Sequence, residues 1–119
     1  MFYTYILSIF VEPVLEDVEY AAKTKVDRIE LYTEDYAKGY DLDKENAIKP
    51  YLEVTEFLQE NIPSVSLNAG HDLNLKNLNY LLTKIPTIKE VSIGHALVCD
   101  AFEYGLKDTI QKYLTIAKR

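Results

Sequence analysis

The sequence predicts an α/β protein of parallel strand–helix units, and three observations carry that prediction. Short apolar runs alternate with amphipathic stretches four times along the 119 residues. The runs are nearly continuous in apolar character, as in strands covered on both faces. The segments between them are long enough for crossover helices, which join parallel strands with a right-handed turn.

Each unit can be justified in order. Tyr5-Ile6-Leu7-Ser8-Ile9-Phe10-Val11 is an apolar run that stops at Pro13, and Val14, Val18, Ala21 and Ala22 then fall on one stripe of a short helix. Val26 to Thr33 is a second strand. A polar loop with Gly39 leads on to a helix carrying Tyr51, Val54 and Leu58 on one side, with Pro50 either starting or kinking it. Pro63 to Leu67 is a third strand, followed by the loop Asn68-Ala69-Gly70-His71 and a helix with Leu75, Leu78 and Leu82. Ile88 to Ile93 is the fourth, and after Gly94-His95 comes a helical stretch with Phe102, Leu106, Ile110 and Leu114. Lys118-Arg119 suit its C-terminus, where cations complement the helix dipole.

Composition narrows the function classes. With 48% apolar residues the chain, residues 1–119, reads as one globular unit able to bury a core. A net charge of −6 argues against nucleic acid, whose phosphates require a Lys/Arg surface. The longest apolar stretch is too short to cross a bilayer and no basic leader precedes it, so no membrane role and a cytoplasmic location are expected. Cys99 is the single cysteine; it excludes a disulfide framework and reads as a small buried residue. The acidic cluster Glu34, Asp35, Asp41, Asp43 and Glu45 reads as a solvated loop and helix start.

Parallel α/β folds collect chemistry at the C-terminal ends of their strands. The residues there are Glu12, Glu30 with Thr33, Asn68 with His71, and Gly94 with His95. Both histidines of the chain follow a glycine at a strand end. Glycine lets the backbone approach a ligand, a following helix adds its positive end, and the imidazole exchanges protons near neutrality. Such turns suit a phosphorylated small molecule. Glu30 stands between Ile29 and Leu31 and points to the opposite side of the sheet, where it either pairs with Arg28 or a lysine or serves a ligand. A metal site is ranked low because no HxH or HxxxH spacing is present.

Four such units can remain an open, doubly wound sheet or form half of an eight-stranded barrel of about 250 residues. Length alone favours the open sheet. The stretches Ser8-Ile9-Phe10-Val11-Glu12-Pro13, Asp27 to Thr33, Asn68-Ala69-Gly70-His71 and Ile93-Gly94-His95-Ala96-Leu97 reverse that preference. In order and spacing they resemble the last four strands of the pyridoxine 5′-phosphate synthase family, and the likeness runs on through Gly105-Leu106-Lys107-Asp108.

That resemblance implies an α/β fold of parallel (β/α) units that is the C-terminal half of a TIM (β/α)8 barrel, a single (β/α)4 half-barrel corresponding to strands five to eight. It implies a transferase-type synthase of vitamin B6 biosynthesis. Such an enzyme condenses 1-deoxy-D-xylulose 5-phosphate with 3-amino-2-oxopropyl phosphate, without cofactor or metal. It further implies His71 as proton donor, Glu30 as transition-state stabiliser, and Asp72, Gly94 and His95 as contacts to the aminoketone phosphate. The chain departs from the family where it has Asp72 in place of glycine, Tyr32 in place of histidine and Glu34 in place of glycine. The family's first four strands have no counterpart here. An expected partner is therefore the missing N-terminal half or another copy of the chain, in a homo-oligomer that covers the strand edges. The alternatives are a non-catalytic half-barrel module that binds a phosphorylated small molecule, and an unrelated open α/β domain whose Gly-His turns are structural.

Overall fold

A computed structural model describes residues 4–118 of the chain. The elements are β1 (Ser8–Val11), α1 (Leu15–Lys23), β2 (Arg28–Tyr32), α2 (Glu34–Asn61), β3 (Ser66–Gly70), α3 (Leu78–Lys84), β4 (Ile88–Ser92), α4 (His95–Tyr104) and α5 (Leu106–Ala117). All four strands are parallel and lie side by side in chain order, β1-β2-β3-β4. That order decides between the two architectures left open by the sequence. A doubly wound sheet reverses strand order at a switch point and so carries helices on both faces. Consecutive right-handed crossovers without reversal put the helices on one face, as in a barrel wall.

The two faces differ accordingly. Ile29 and Leu31 of β2 and Leu67 and Ala69 of β3 are buried under the helices, together with Val18, Tyr51, Leu58, Leu78 and Leu81. The opposite face carries Ser8 and Phe10, Arg28, Glu30 and Tyr32, Ser66, Asn68 and Gly70, then Glu90 and Ser92, in lateral register. None of the described elements covers it, and Phe10 is 51% exposed there. The strands are therefore covered on one face only, not on both as their apolar runs suggested. The resulting slab measures 46 × 43 × 22 Å with a radius of gyration of 15.0 Å. A compact domain of this length would have about 13.5 Å.

Element boundaries depart from expectation at several points. Residues 5–7 precede the ladder, although Leu7 still accepts from the main-chain N–H groups of Asp27 and Arg28. The third strand lies downstream of Pro63, so that Asn68, Ala69 and Gly70 belong to it and not to a loop. The region around Gly39 is helical: α2 begins at Glu34, with Glu34 and Asp35 in its first turn where they complement the dipole. The break in α2 lies at Asp43 (φ −160°, ψ 88°), whose carboxylate accepts from the Asn46 N–H at 3.0 Å and so caps the second segment; Pro50 sits inside it. Leu75 lies in a turn before α3. The single last helix is two, divided at Gly105, whose φ of +84° ends α4. Cys99 is exposed, not buried, because α4 packs chiefly on α5 and has no buried residue of its own. Arg119, expected at the helix terminus, lies outside the described residues.

Candidate functional site

The C-terminal ends of β2, β3 and β4 converge on one rim of the sheet. Gly70, the last residue of β3, faces the bare side, paired with Tyr32 and Ser92 on the flanking strands. The Glu30 carboxylate reaches across onto it: a Cβ at Gly70 would collide with Glu30 Oε1 and lie 3.0 Å from the Ser92 Cβ. Glycine is required here by close approach. Glu30 is not neutralised by Arg28, whose guanidinium instead pairs with Glu90 at 2.6 Å. Asn68, in register with Glu30 and Glu90 on the same face, is buried and its Oδ1 has no hydrogen-bond partner among the described residues.

The chain leaves β3 through two residues in the left-handed region, His71 (φ +101°) and Asp72 (φ +55°). The buried Thr33 hydroxyl donates to the His71 carbonyl at 2.6 Å, and the Thr33 N–H donates to the Gly70 carbonyl at 2.9 Å. These bonds hold the turn against the start of α2 and offset a backbone cost of order 1–3 kcal/mol per residue in such regions. The imidazole lies against the Tyr32 ring, centroids 4.4 Å apart, and its Nδ1 is 3.2 Å from Asp72 Oδ2. Tyr32 in turn packs edge-on against Phe10 at 5.2 Å.

Charge around the turn is arranged by α2. The Tyr32 phenol donates to Glu34, and Glu34 pairs with Lys38 one turn on. Bonding to Glu34 pushes the Tyr32 phenol up to about 12, with burial and the negative charges of Glu34, Glu12 and Asp72 acting the same way. Lys38, followed by the Tyr32 hydrogen bond, holds the Glu34 carboxyl below its ordinary value, and Glu34 raises Lys38. Behind them, the Tyr51 hydroxyl donates to the Tyr32 carbonyl and the Tyr36 hydroxyl to the Asn77 carbonyl, both at 2.7 Å. Burial pushes both of these phenols well above the ordinary tyrosine value.

A cleft of about 310 Å³ next to the His71 turn is lined by Lys38, Asp72, Asn74, Gly94 and His95 among others. Three residues named from the sequence, Asp72, Gly94 and His95, thus share one cavity. Gly94 immediately precedes α4 with open space around it, and His95, the first residue of α4, is exposed with Nε2 3.4 Å from Cys99 Sγ. Asp72 does not cap the following helix. In the turn before α3, Asn74 Oδ1 accepts from the N–H groups of Lys76 (2.9 Å) and Asn77 (3.0 Å), and α3 has no side-chain cap of its own. Sequence reasoning missed Lys38 and the tyrosine pair 36 and 51, and set Glu34 aside as solvated. The available signal was the position of Glu34 and Lys38, four residues apart just past a strand end. Among the described residues no group of three His, Cys, Asp or Glu side chains comes together to hold a metal ion. None of their helices is long and apolar enough to cross a membrane.

A singly wound parallel sheet with acid–base side chains gathered at its C-terminal rim is half of a (β/α)8 barrel of the enzyme-bearing kind. Residues 4–119 match the family described as pyridoxal phosphate biosynthesis protein PdxJ, and the chain belongs to that family. The pyridoxine 5′-phosphate synthase of Cytophaga hutchinsonii is 53% identical over 113 residues, covering 95% of this chain and 47% of that protein. The synthase of Christiangramia forsetii is 50% identical over 111 residues (93% and 46%), and that of Parabacteroides distasonis 53% over 106 residues (89% and 44%). The chain spans about half the length of the curated relatives it matches.

Proposed function

We propose that the chain supplies one half of the active site of a pyridoxine 5′-phosphate synthase, joining 1-deoxy-D-xylulose 5-phosphate to 3-amino-2-oxopropyl phosphate in the cytoplasm. In this reading His71 donates a proton and Glu30 stabilises the charge that develops in the transition state. Gly94 and His95 hold the aminoketone phosphate, with Asp72 contributing its main chain. The observation that carries the reading is the construction of the β3 end. Gly70 leaves room for the Glu30 carboxylate one residue before an imidazole in a left-handed turn, and the Asp72–Gly94–His95 cleft opens beside it. Lys38 also lines that cleft, its ammonium paired with Glu34.

The partner that fits is the remaining half of the relatives' length, one further set of four strand–helix units. Two apolar grooves flank the sheet. One, at the β4 edge, is lined by Leu82, Ile88, Val91, Ile93, Ile110 and Leu114; the other, at the β1 edge, by Ile9, Phe10, Val11 and Tyr20. Edges and grooves of this kind are association surfaces, and a second half-barrel covers both at once. The test is product formation from the two phosphorylated substrates by this chain alone and mixed with an N-terminal half from a relative. Turnover only in the mixture supports the synthase. Assembly of the halves without turnover would leave a non-catalytic module that binds a phosphorylated small molecule.

A further inference from the structure

Asp72 stands where the resemblance leads one to expect glycine, and its side chain has a different partner from the one that phosphate binding would give it. It caps no helix, since α3 has no side-chain cap and Asn74 holds the N–H groups of Lys76 and Asn77. Its carboxylate turns back one residue, to 3.2 Å from His71 Nδ1. Its φ of +55° lies in the left-handed region, which aspartate and asparagine enter more readily than other non-glycine residues.

We infer that Asp72 and His71 form a dyad in which Asp72 is a positioning residue, fixing which imidazole nitrogen meets the substrate; this rests on the assignment of His71 as proton donor. An ionised carboxylate only accepts, so the facing Nδ1 carries the hydrogen. The hydrogen bond at one ring nitrogen determines the proton state of the other. In the imidazolium form the proton leaves from Nε2 to the substrate, and the neutral ring that remains keeps Nδ1–H on Asp72. Tyr32 packs tilted at 55° against the ring, centroids 4.4 Å apart, and is tied through Glu34 to Lys38. Charged groups near this imidazole include Asp72 from its own turn and Glu34 from α2, which Lys38 neutralises, while the Glu30 carboxylate lies against the preceding Gly70. The dyad also answers the objection that an acidic residue lines an anion cleft: the carboxylate is committed to the imidazole.

The chain has two histidines, so ¹⁵N spectra of its imidazoles are readily assigned with a His95→Asn variant. The 119-residue chain should show neutral His71 as the Nδ1–H tautomer, the less common form of a free imidazole. Asp72→Gly should return it to the Nε2–H form, while Asp72→Asn, whose amide oxygen still accepts, should retain Nδ1–H. An Nε2–H ring in the unaltered chain, or an unchanged tautomer in Asp72→Gly, overturns the dyad. In the assembled barrel Asp72→Gly should lower kcat about tenfold or more, with KM little changed and partial rescue by Asp72→Asn. Unchanged kcat alongside a switched tautomer would overturn the positioning role. Turnover that survives His71→Asn would instead overturn the proton-donor assignment and leave the tautomer result standing.

Discussion

The chain contains two Gly-His turns at consecutive strand ends, and they are built differently. At Gly70-His71 the glycine is buried under the Glu30 carboxylate, the backbone enters the left-handed region, and Thr33, Tyr32 and Asp72 all hold the histidine. At Gly94-His95 a Cβ on the glycine would meet nothing within 4 Å among the described residues, and the histidine, exposed as His71 is, has the Cys99 sulfur 3.4 Å from its Nε2. A fixed imidazole suits proton transfer, which depends on geometry within a few tenths of an ångström. An open turn at the start of a ten-residue helix suits an anion that arrives and leaves. The same dipeptide is thus read differently once its neighbours are known.

Alkali should give the largest effect, because buried phenols support the first turn. Tyr36 and Tyr51, like Tyr113 of α5, whose hydroxyl donates to Asp100 of α4, have their ionisation raised above the unfolded value near 10, chiefly by burial. Folding favours their neutral form, so the stability they contribute is complete below pH 10 and is lost as pH rises above it. Unfolding followed by tyrosine absorbance should therefore begin above pH 10. Hydrogen exchange at residues 68–72 should speed up in step with it, and a stable fold well beyond pH 12 would contradict the packing described.

Substitution of the two glycines separates the turns directly. Gly70→Ala forces the Glu30 carboxylate aside and presses on Ser92, with an expected cost of about 1–3 kcal/mol in thermal unfolding and a larger loss of turnover in the assembled barrel. Gly94→Ala should stay within about 0.5 kcal/mol in stability, since it meets open space. Equal destabilisation by the two would remove the distinction. Thr33→Val keeps the side-chain shape but deletes the bond to the His71 carbonyl. It should cost about 0.5–1.5 kcal/mol and mobilise the first turn alone, as read by amide exchange. The smallest effect is expected from Glu34→Gln: it should bring the Tyr32 phenol down from about 12 toward 10, measured by NMR titration, with the fold retained.

Much of this was legible in the residues. The alternation Arg28-Ile29-Glu30-Leu31-Tyr32 already put Glu30 on the face opposite the core, and the burial of Ile29 and Leu31 agrees. Strand order was not legible, because right-handed crossovers are common to open and closed sheets and only the pairing of β1 through β4 in sequence separates them. Nor was the extent of β3: Asn68-Ala69-Gly70 has the composition of a loop, yet tertiary pairing with β2 and β4 extends the strand through it. The helical region around Gly39 was misread for a related reason, since buried Tyr36, with its hydroxyl on the Asn77 carbonyl, anchors a segment whose local propensity is weak. The partners of Asp72 and Glu34 could not be read at all, because nothing in the chain order says that a carboxylate will turn toward an imidazole or a phenol.

The most direct test of this division compares His71→Asn with His95→Asn in a barrel completed by an N-terminal half. The first should abolish kcat, and the second should raise KM for the aminoketone phosphate while leaving much of kcat intact. A comparable loss of kcat from both, or a loss confined to His95→Asn, would contradict the assignment of proton transfer to the His71 turn.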